Sequence, residues 1–406
     1  MRAYERLLAY VKWETASDPA VDTCPSTEGQ KAFGAFLVQE MQDMGITDAT
    51  MDDNGYVMGT IPANCEKKGQ VLGFVAHMDV SKDAPSVGIQ ARIVAGYGGG
   101  DIVLNKKENI VMRADQFASL QKHIGEDLIV TDGTTLLGGD DKAGIAEILT
   151  MAEYLLTHPE IPHGTVKIGF TPDEEIGRGA DLFDVKAFGA DFAYTVDGGP
   201  FDEVVYETFN AASAEVLITG FGIHPGSAKD KMRNAAQIAM EFHSMLPPAQ
   251  RPEHTEQYDG FFHLTDMKGH VESASLGYIV RDHDRAKLQE KIDTMEQIAA
   301  YLNSKYPADT VKLTIKHSYL NMAGEIKKHW HLIENAYKAV EMQGGTPYTT
   351  PTRGGTDGSH LSFMGLPCPN LGTGGCNAHG RMEYVSVQEM DKCTQNLINL
   401  VALYCV

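Results

Sequence analysis

Cysteine is scarce and scattered in this sequence: Cys24, Cys65, Cys368, Cys376, Cys393 and Cys405 form no CxxC pair. In a chain this large, that spacing fits reduced cytoplasmic thiols better than a disulfide framework or a cysteine zinc site. Basic residues are also in short supply, with 34 Lys and Arg against 55 Asp and Glu and a formal charge of −21. A phosphate backbone needs a concentrated basic surface, so nucleic acid is not an expected partner. No apolar run approaches the ~20 residues that cross a bilayer. The opening MRAYERLLAYVKWETASD reads as an amphipathic helix broken by charges, without the apolar core of a signal peptide. A cytoplasmic protein that makes no use of membrane is the expectation. Repeats and low-complexity tracts are missing as well.

What is present is an ordinary globular mixture, 43% hydrophobic and 22% charged over 406 residues, enough for two domains with substantial cores. The 18 methionines read as core filler rather than a copper site. In the first half, apolar runs alternate with helical periodicity, the signature of an α/β layer. The runs VLGFVA (71–76), VKIGFT (166–171) and FAYTV (192–196) read as buried strands. Ile145, Ile148, Leu149, Ala152, Leu155 and Leu156 form a helical stripe over 141–156, closed by Pro159 and Pro162. The pattern changes near residue 208. Strand 214–220, helix 234–246, strands 260–267 and 273–280, helix 285–304 and strand 310–318 follow the ferredoxin-like β-α-β-β-α-β order. The expected architecture is a discontinuous α/β domain, 1–207 with 319–406, and an inserted α+β module at 208–318. Residues 81–137 read as an elaborated hairpin region. Their GYGGGD stretch precedes the strand-like DIVL rather than a helix, so it lacks the geometry of a dinucleotide loop.

Chemistry-bearing residues gather where predicted strands stop. His77 and Asp79 follow the first run, Asp173, Glu174 and Glu175 the second, Asp197 the third, and His379 lies in GTGGCNAHG after PNL. Asp140 and Asp141 open the helix at 141–156. Ligand sites of open α/β sheets form beyond the carboxyl ends of the strands, so these residues are predicted to meet at one edge. Two histidines with several carboxylates suit divalent metals, zinc first, with manganese and cobalt as competitors. They are too many for one open tetrahedral site. An aspartate giving one oxygen to each of two ions about 3.5–4 Å apart would divide them as in two-metal hydrolases. Such a pair would bind water, lower its pKa and polarise a carbonyl. A carboxylate not committed to metal would then carry the water's proton to the leaving amine. The plainer reading of Asp140-Asp141 as a helix cap, worth ~1 kcal/mol, can hold for one of them but does not account for both.

The strings GFVAHMDV, LLGGDDKAG, FTPDEEIGRGAD, YTVDGG and RGGTDGSHLSFMGLPCPNLGTGGCNAHG occur in the order seen in M20 metallopeptidases. The sequence resembles that family over essentially its whole length, and its tripeptide-aminopeptidase branch most closely. The resemblance implies a mixed-sheet zinc-peptidase domain with the inserted module as a lid. It implies that Asp140 bridges two zinc ions, His77 and Asp197 completing one site, Glu175 and His379 the other. Glu174 would be the general base, and Asp79 would orient His77, as carboxylates commonly do for metal-bound imidazole. His224, in GIHPGSAKDKMRNA, would stabilise the tetrahedral oxyanion, against the plain alternative of a turn-stabilising residue before Pro225. Arg281 and Arg353 would grip the peptide's terminal carboxylate; the alternatives are a surface ion pair with Asp282 or Asp284 and a solvated side chain. The implied substrate is an unblocked tripeptide cut at its first bond. Dipeptidase, carboxypeptidase and N-acyl amino acid deacylase activities are the sister readings, and a non-catalytic binding protein the remote one. Family members are often dimers, but no isologous patch is legible here.

Overall fold

The structure, a computed structural model, describes residues 1–65 and 69–405. The apolar run at 71–76 becomes the strand Leu72–His77, buried at every position. An unbroken run of this kind suits a strand covered on both faces of a sheet. It lies at the centre of a seven-stranded sheet ordered Thr50–Met51, Val57–Ile61, Val166–Thr171, Leu72–His77, Phe192–Gly198, Asn370–Gly372, Val204–Val205. The four strands from Val166–Thr171 to Asn370–Gly372 run parallel. Antiparallel pairs close both sides, which makes the sheet mixed. Parallel strands end together, so His77, Thr171, Gly198 and Gly372 terminate on one edge.

The helix Gly139–Thr157 differs from the one-sided stripe expected of it: most of its residues are buried. It packs on Leu72–His77 and Phe192–Gly198 and is covered in turn by the helices Ala3–Tyr10 and Val387–Leu403. Gly144 makes the close approach to the sheet. A Cβ there would stand 1.8 Å from the carbonyl oxygen of Val196, so any side chain would push the helix away.

The chain divides into two compact units. Unit 1 comprises Met1–Tyr206, Gly324–Thr350 and Thr356–Val406 and holds the seven-stranded sheet; unit 2 comprises Glu207–Ala323 and Pro351–Gly355. Unit 2 is a four-stranded antiparallel sheet ordered Phe261–Gly269, Ser273–Asp282, Asn210–Thr219, Val311–Tyr319. Two helices pack on it, Ala235–Met245 and Arg285–Lys305. Asn234 and Asp284 cap those helices by accepting backbone N–H groups of the first turn. Ile238, Ala239 and Phe242 of the first helix and Leu288, Ile292, Met295, Ala299 and Leu302 of the second are buried in one core.

Sequence pattern put the edges of the insertion at 208 and 318. Unit 2 additionally takes in Glu207, 319–323 and the remote segment 351–355. That segment is held by backbone bonds from Thr352 N–H to Glu207 O (3.0 Å) and from Phe209 N–H to Gly354 O (3.2 Å), a long-range pairing without a local signature. Within 81–137, DIVL does form a strand, Ile102–Asn105, in a hairpin with Ile110–Met112. Among the described residues no helix is long and apolar enough to cross a membrane.

Candidate metal centre

Among the predicted ligands, His77 and Asp197 sit at strand ends, Glu175 in the turn Glu174–Ile176 just beyond one, Asp140 at the start of the helix Gly139–Thr157 and His379 in a loop, all within unit 1. His77 is the last residue of its strand and is 2% exposed. Its Nδ1 lies 3.0 Å from the backbone carbonyl of Asp79 and its Nε2 3.0 Å from Oδ1 of Asp140 and 3.5 Å from Oδ1 of Asp197. With Nδ1 directed at that carbonyl, Nε2 is the nitrogen that faces the two carboxylates. On the other side of Asp140, Oδ2 is 3.3 Å from Nε2 of His379, which is also 2.8 Å from Oε2 of Glu175. Two donor groups result, His77–Asp140–Asp197 and Asp140–Glu175–His379, and Asp140 belongs to both through different oxygens. Glu174, its side chain 16% exposed, lies 4.0 Å from Nε2 of His77.

Asp79 stands beside His77, as expected, and makes further contacts. Its carboxylate is 3.5 Å from Nδ1 of His77, farther than its own carbonyl. The carboxylate also accepts the backbone N–H of Glu174 at Oδ1 (3.0 Å) and of Glu175 at Oδ2 (3.1 Å). It thereby fixes the turn Glu174–Ile176, whose own N-cap, Asp173, makes no side-chain cap. Asp173 is committed below: at φ +58° it accepts from Ser26 N–H (2.7 Å) and Gln30 Nε2 (2.8 Å). Asp141 is the capping member of its pair, accepting from Gly144 N–H (3.3 Å) and from His77 N–H (3.1 Å).

Burial pushes the Asp140 carboxyl up, but His379 and His77 outweigh it and hold it well below the usual carboxylate range. Burial takes Asp197 to about 6 and Glu175 to about 7, and raises Glu174. Asp140 and Glu175 carry His379 up to about 11. Carboxylates this close cannot all ionise unless positive charge sits among them. Oε1 of Glu175 is buried without a hydrogen-bond partner, an acceptor left over in the second group. Imidazole nitrogen and carboxylate oxygen converging twice on a shared aspartate fit a pair of divalent cations by donor type and by charge.

Three buried polar residues near this centre were not anticipated. Asp357 accepts from Thr171 Oγ1 (2.6 Å), and burial raises it to about 7. Glu383 holds the loop before Asp140. Lys142 donates from Nζ to Trp13 O (2.7 Å), and burial takes its ammonium down to about 7 despite Glu383 and Asp79. Asp357 and Lys142 stood in the quoted motifs RGGTDGSH and LLGGDDKAG and could have been singled out; Glu383 lies outside every quoted motif.

The proposed substrate groups lie in unit 2. His224 is exposed and accepts from Gly226 N–H at Nδ1 (3.2 Å), which is the turn-stabilising contact. Arg281 donates to the carbonyl of Arg353 (2.9 Å), with its Nε buried and unpartnered. The acidic neighbours suggested for it are engaged elsewhere. Asp282 pairs with Lys291 (2.8 Å) and Asp284 caps its helix. Arg353 is not simply solvated: it donates to Gln257 O, Asp259 O and Thr255 Oγ1 and lies over the rings of Phe209 and Phe261.

Residues 133–402 match the sequence profile of Peptidase family M20/M25/M40. The chain belongs to that family. It is 51% identical over 403 residues to Peptidase T of Halothermothrix orenii, covering 99% of both chains. Its fold is similar to that of aminopeptidase PepT from Bacillus cereus (TM-score 0.75, 22% identity, 99% and 97% covered). It is also similar to a dinuclear metal-binding M20 peptidase, the YXEP protein of Bacillus subtilis (TM-score 0.62, 13% identity, 99% and 98% covered). The chain is thus a metal-using peptidase, and its substrates are peptides.

Proposed function

We propose that this peptidase is a tripeptide aminopeptidase with two zinc ions per chain, which manganese or cobalt can replace. The observation that carries the reading is the shared position of Asp140, one oxygen toward each histidine. His77, Asp140 and Asp197 would hold one ion, and Asp140, Glu175 and His379 the other. When bound, the ions supply Lewis acidity, making water more acidic and a carbonyl more electrophilic. Glu174 is the general base: its carboxylate takes the proton from water and passes it to the leaving amine. Asp79 keeps Glu174 and Glu175 in register by accepting both of their amides. The carbonyl of Asp79 keeps His77 in the tautomer that presents Nε2.

Unit 2 serves as the lid in this reading. His224 stabilises the tetrahedral oxyanion through Nε2, its Nδ1 being used by the turn. Arg281 and Arg353 bind the peptide's terminal carboxylate. Three of the five N–H donors of Arg353 are spent within unit 2, so Arg281 carries more of that contact. A requirement for both peptide ends is what limits substrate length. The relative named Peptidase T, about half identical end to end, favours this substrate class over its sisters. We place the enzyme in the cytoplasm, as the scattered spacing of its cysteines suggests, and as a homodimer on the habit of the family.

The test is an incubation of metal-loaded protein with a free tripeptide, the matching dipeptide, a tetrapeptide and an N-acetylated tripeptide, with Glu174→Gln in parallel. Cleavage of the free tripeptide alone, at its first bond, with the variant nearly inactive, is the expected result. Preference for the dipeptide or the acetylated peptide would move the enzyme to a sister activity. No cleavage with zinc, manganese or cobalt would overturn the reading.

A further inference from the structure

Glu383 follows the loop that carries His379 and directly precedes the strand Tyr384–Ser386. It is 3% exposed. Its carboxylate reaches the turn that opens the helix Gly139–Thr157. There Oε2 accepts the N–H groups of Leu137 (2.7 Å) and Gly138 (2.8 Å), and Oε1 accepts that of Asp140 (3.0 Å). Amides at the start of a helix have no carbonyl partner within it, and one ionised carboxylate can accept all three. The two glycines of the turn make this approach feasible. Gly138 has φ +73°, and a Cβ on Gly139 would stand 2.6 Å from Val385 Cγ2 and 3.1 Å from Glu383 Oε1.

At its other end Glu383 is tied into the His379 loop. Its own N–H donates to Gly380 O (3.2 Å), and Asn377 Nδ2 donates to Met382 O (3.0 Å). A single buried side chain therefore joins the backbone of Asp140 to the loop that presents His379. The same Asp140 directs Oδ2 toward Nε2 of that histidine at 3.3 Å.

We propose that Glu383 is a positioning residue that sets the separation of Asp140 and His379 and thereby the affinity of the second metal position. This rests on the two-metal reading above. Glu383→Gln keeps the shape but turns one acceptor into an N–H donor, which would face at least one of three amide donors. The turn must then relax, and Asp140 moves relative to His379 but keeps its short contact with His77. Changes in groups that orient metal ligands typically cost 10–100-fold in affinity.

The experiment is a cobalt(II) titration of metal-free protein, read by the visible absorption of the bound ion and by chelator competition. Wild type, Glu383→Gln, Glu383→Asp and Asp140→Asn are compared, with the melting temperature of each metal-free protein measured alongside. The expected result is a first cobalt bound within a few-fold of wild type by Glu383→Gln and a second bound 10–100-fold more weakly, a split between the two ions that a lower apo melting temperature from the unsatisfied amide does not by itself produce. If that variant does not fold, Glu383→Asp decides by the same split, since it keeps the charge. Two cobalt ions bound as in wild type would overturn the inference, while a loss in Asp140→Asn would leave the two-metal reading standing. Equal weakening of both ions together with a lower apo melting temperature would reduce Glu383 to a merely structural role and also overturn it. Retention of both ions by Asp140→Asn would overturn the two-metal reading and the inference with it.

Discussion

Replacing Asp79 by asparagine exchanges one oxygen for an amide nitrogen and leaves the shape almost unchanged. In the native protein each carboxylate oxygen accepts one backbone N–H, from Glu174 at 3.0 Å and from Glu175 at 3.1 Å, in a fully buried setting. Hydrogen bonds to a charged group contribute about 1.5–3 kcal/mol each. Asparagine keeps one acceptor and aims its NH₂ at the other amide, which then has no partner. Leaving one buried donor unsatisfied costs about 1–3 kcal/mol of stability. The effect on turnover is expected to be larger in proportion. The turn carries the general base and a ligand on adjacent residues, and a misplacement of about 1 Å in a catalytic group can cost on the order of 100-fold. The assay is kcat and KM for a free tripeptide, paired with urea denaturation of the metal-free protein. A fall in kcat of about 10–100-fold with a modest change in KM is expected. Wild-type kcat in a variant destabilised by the stated amount would refute the idea that Asp79 works by holding this turn.

Chelation should abolish cleavage and lower the melting temperature, since an ion bound only to the folded state stabilises it by mass action. Zinc, manganese or cobalt should restore both, and full activity after exhaustive chelation would count against the metal centre. In unit 2, Lys291→Met strands the buried carboxylate of Asp282, 2.8 Å from the lost ammonium. Breaking a buried pair on one side costs about 3–5 kcal/mol, so a urea midpoint equal to wild type would contradict the burial argument. His123 supplies a pH test. Burial pushes its imidazole down, but Cys376, Glu126 and Glu389 outweigh that and raise it to about 9. A folded pKa above the unfolded value of about 6.5 means the stabilisation is complete below about pH 6.5 and is lost as pH rises through about 9. Replacement by glutamine should flatten that part of the urea-midpoint profile; parallel profiles for wild type and His123→Gln would sink the assignment.

Much of the architecture could be read from local pattern. VKIGFT is a strand over the same six residues in the structure, and the five apolar positions of the helix Arg285–Lys305 are all buried as its periodicity implied. GYGGGD was separable from a phosphate loop because DIVL, which follows it, has strand character. The meeting of His77, Glu175 and Asp197 was legible too, because residues at or just beyond the ends of parallel strands converge on one sheet edge; Asp140 and His379 join them from a helix start and a loop outside those strands.

Other features depended on partners remote in sequence. The stripe drawn for the helix Gly139–Thr157 missed its second covering layer, since helices 3–10 and 387–403 arrive from opposite ends of the chain. Arg353 reads from the sequence as a grip for the substrate carboxylate, or else as a solvated guanidinium beside two glycines, yet carbonyls at 257 and 259 take up two of its donors. For Asp79, composition and spacing gave a carboxylate beside a histidine, but only the folded chain brings the amides of Glu174 and Glu175 within reach of that carboxylate. Side-chain type and strand ends are local properties and were written in the sequence. Which oxygen accepts which proton is set by distances between segments about a hundred residues or more apart, and tertiary packing alone decides those.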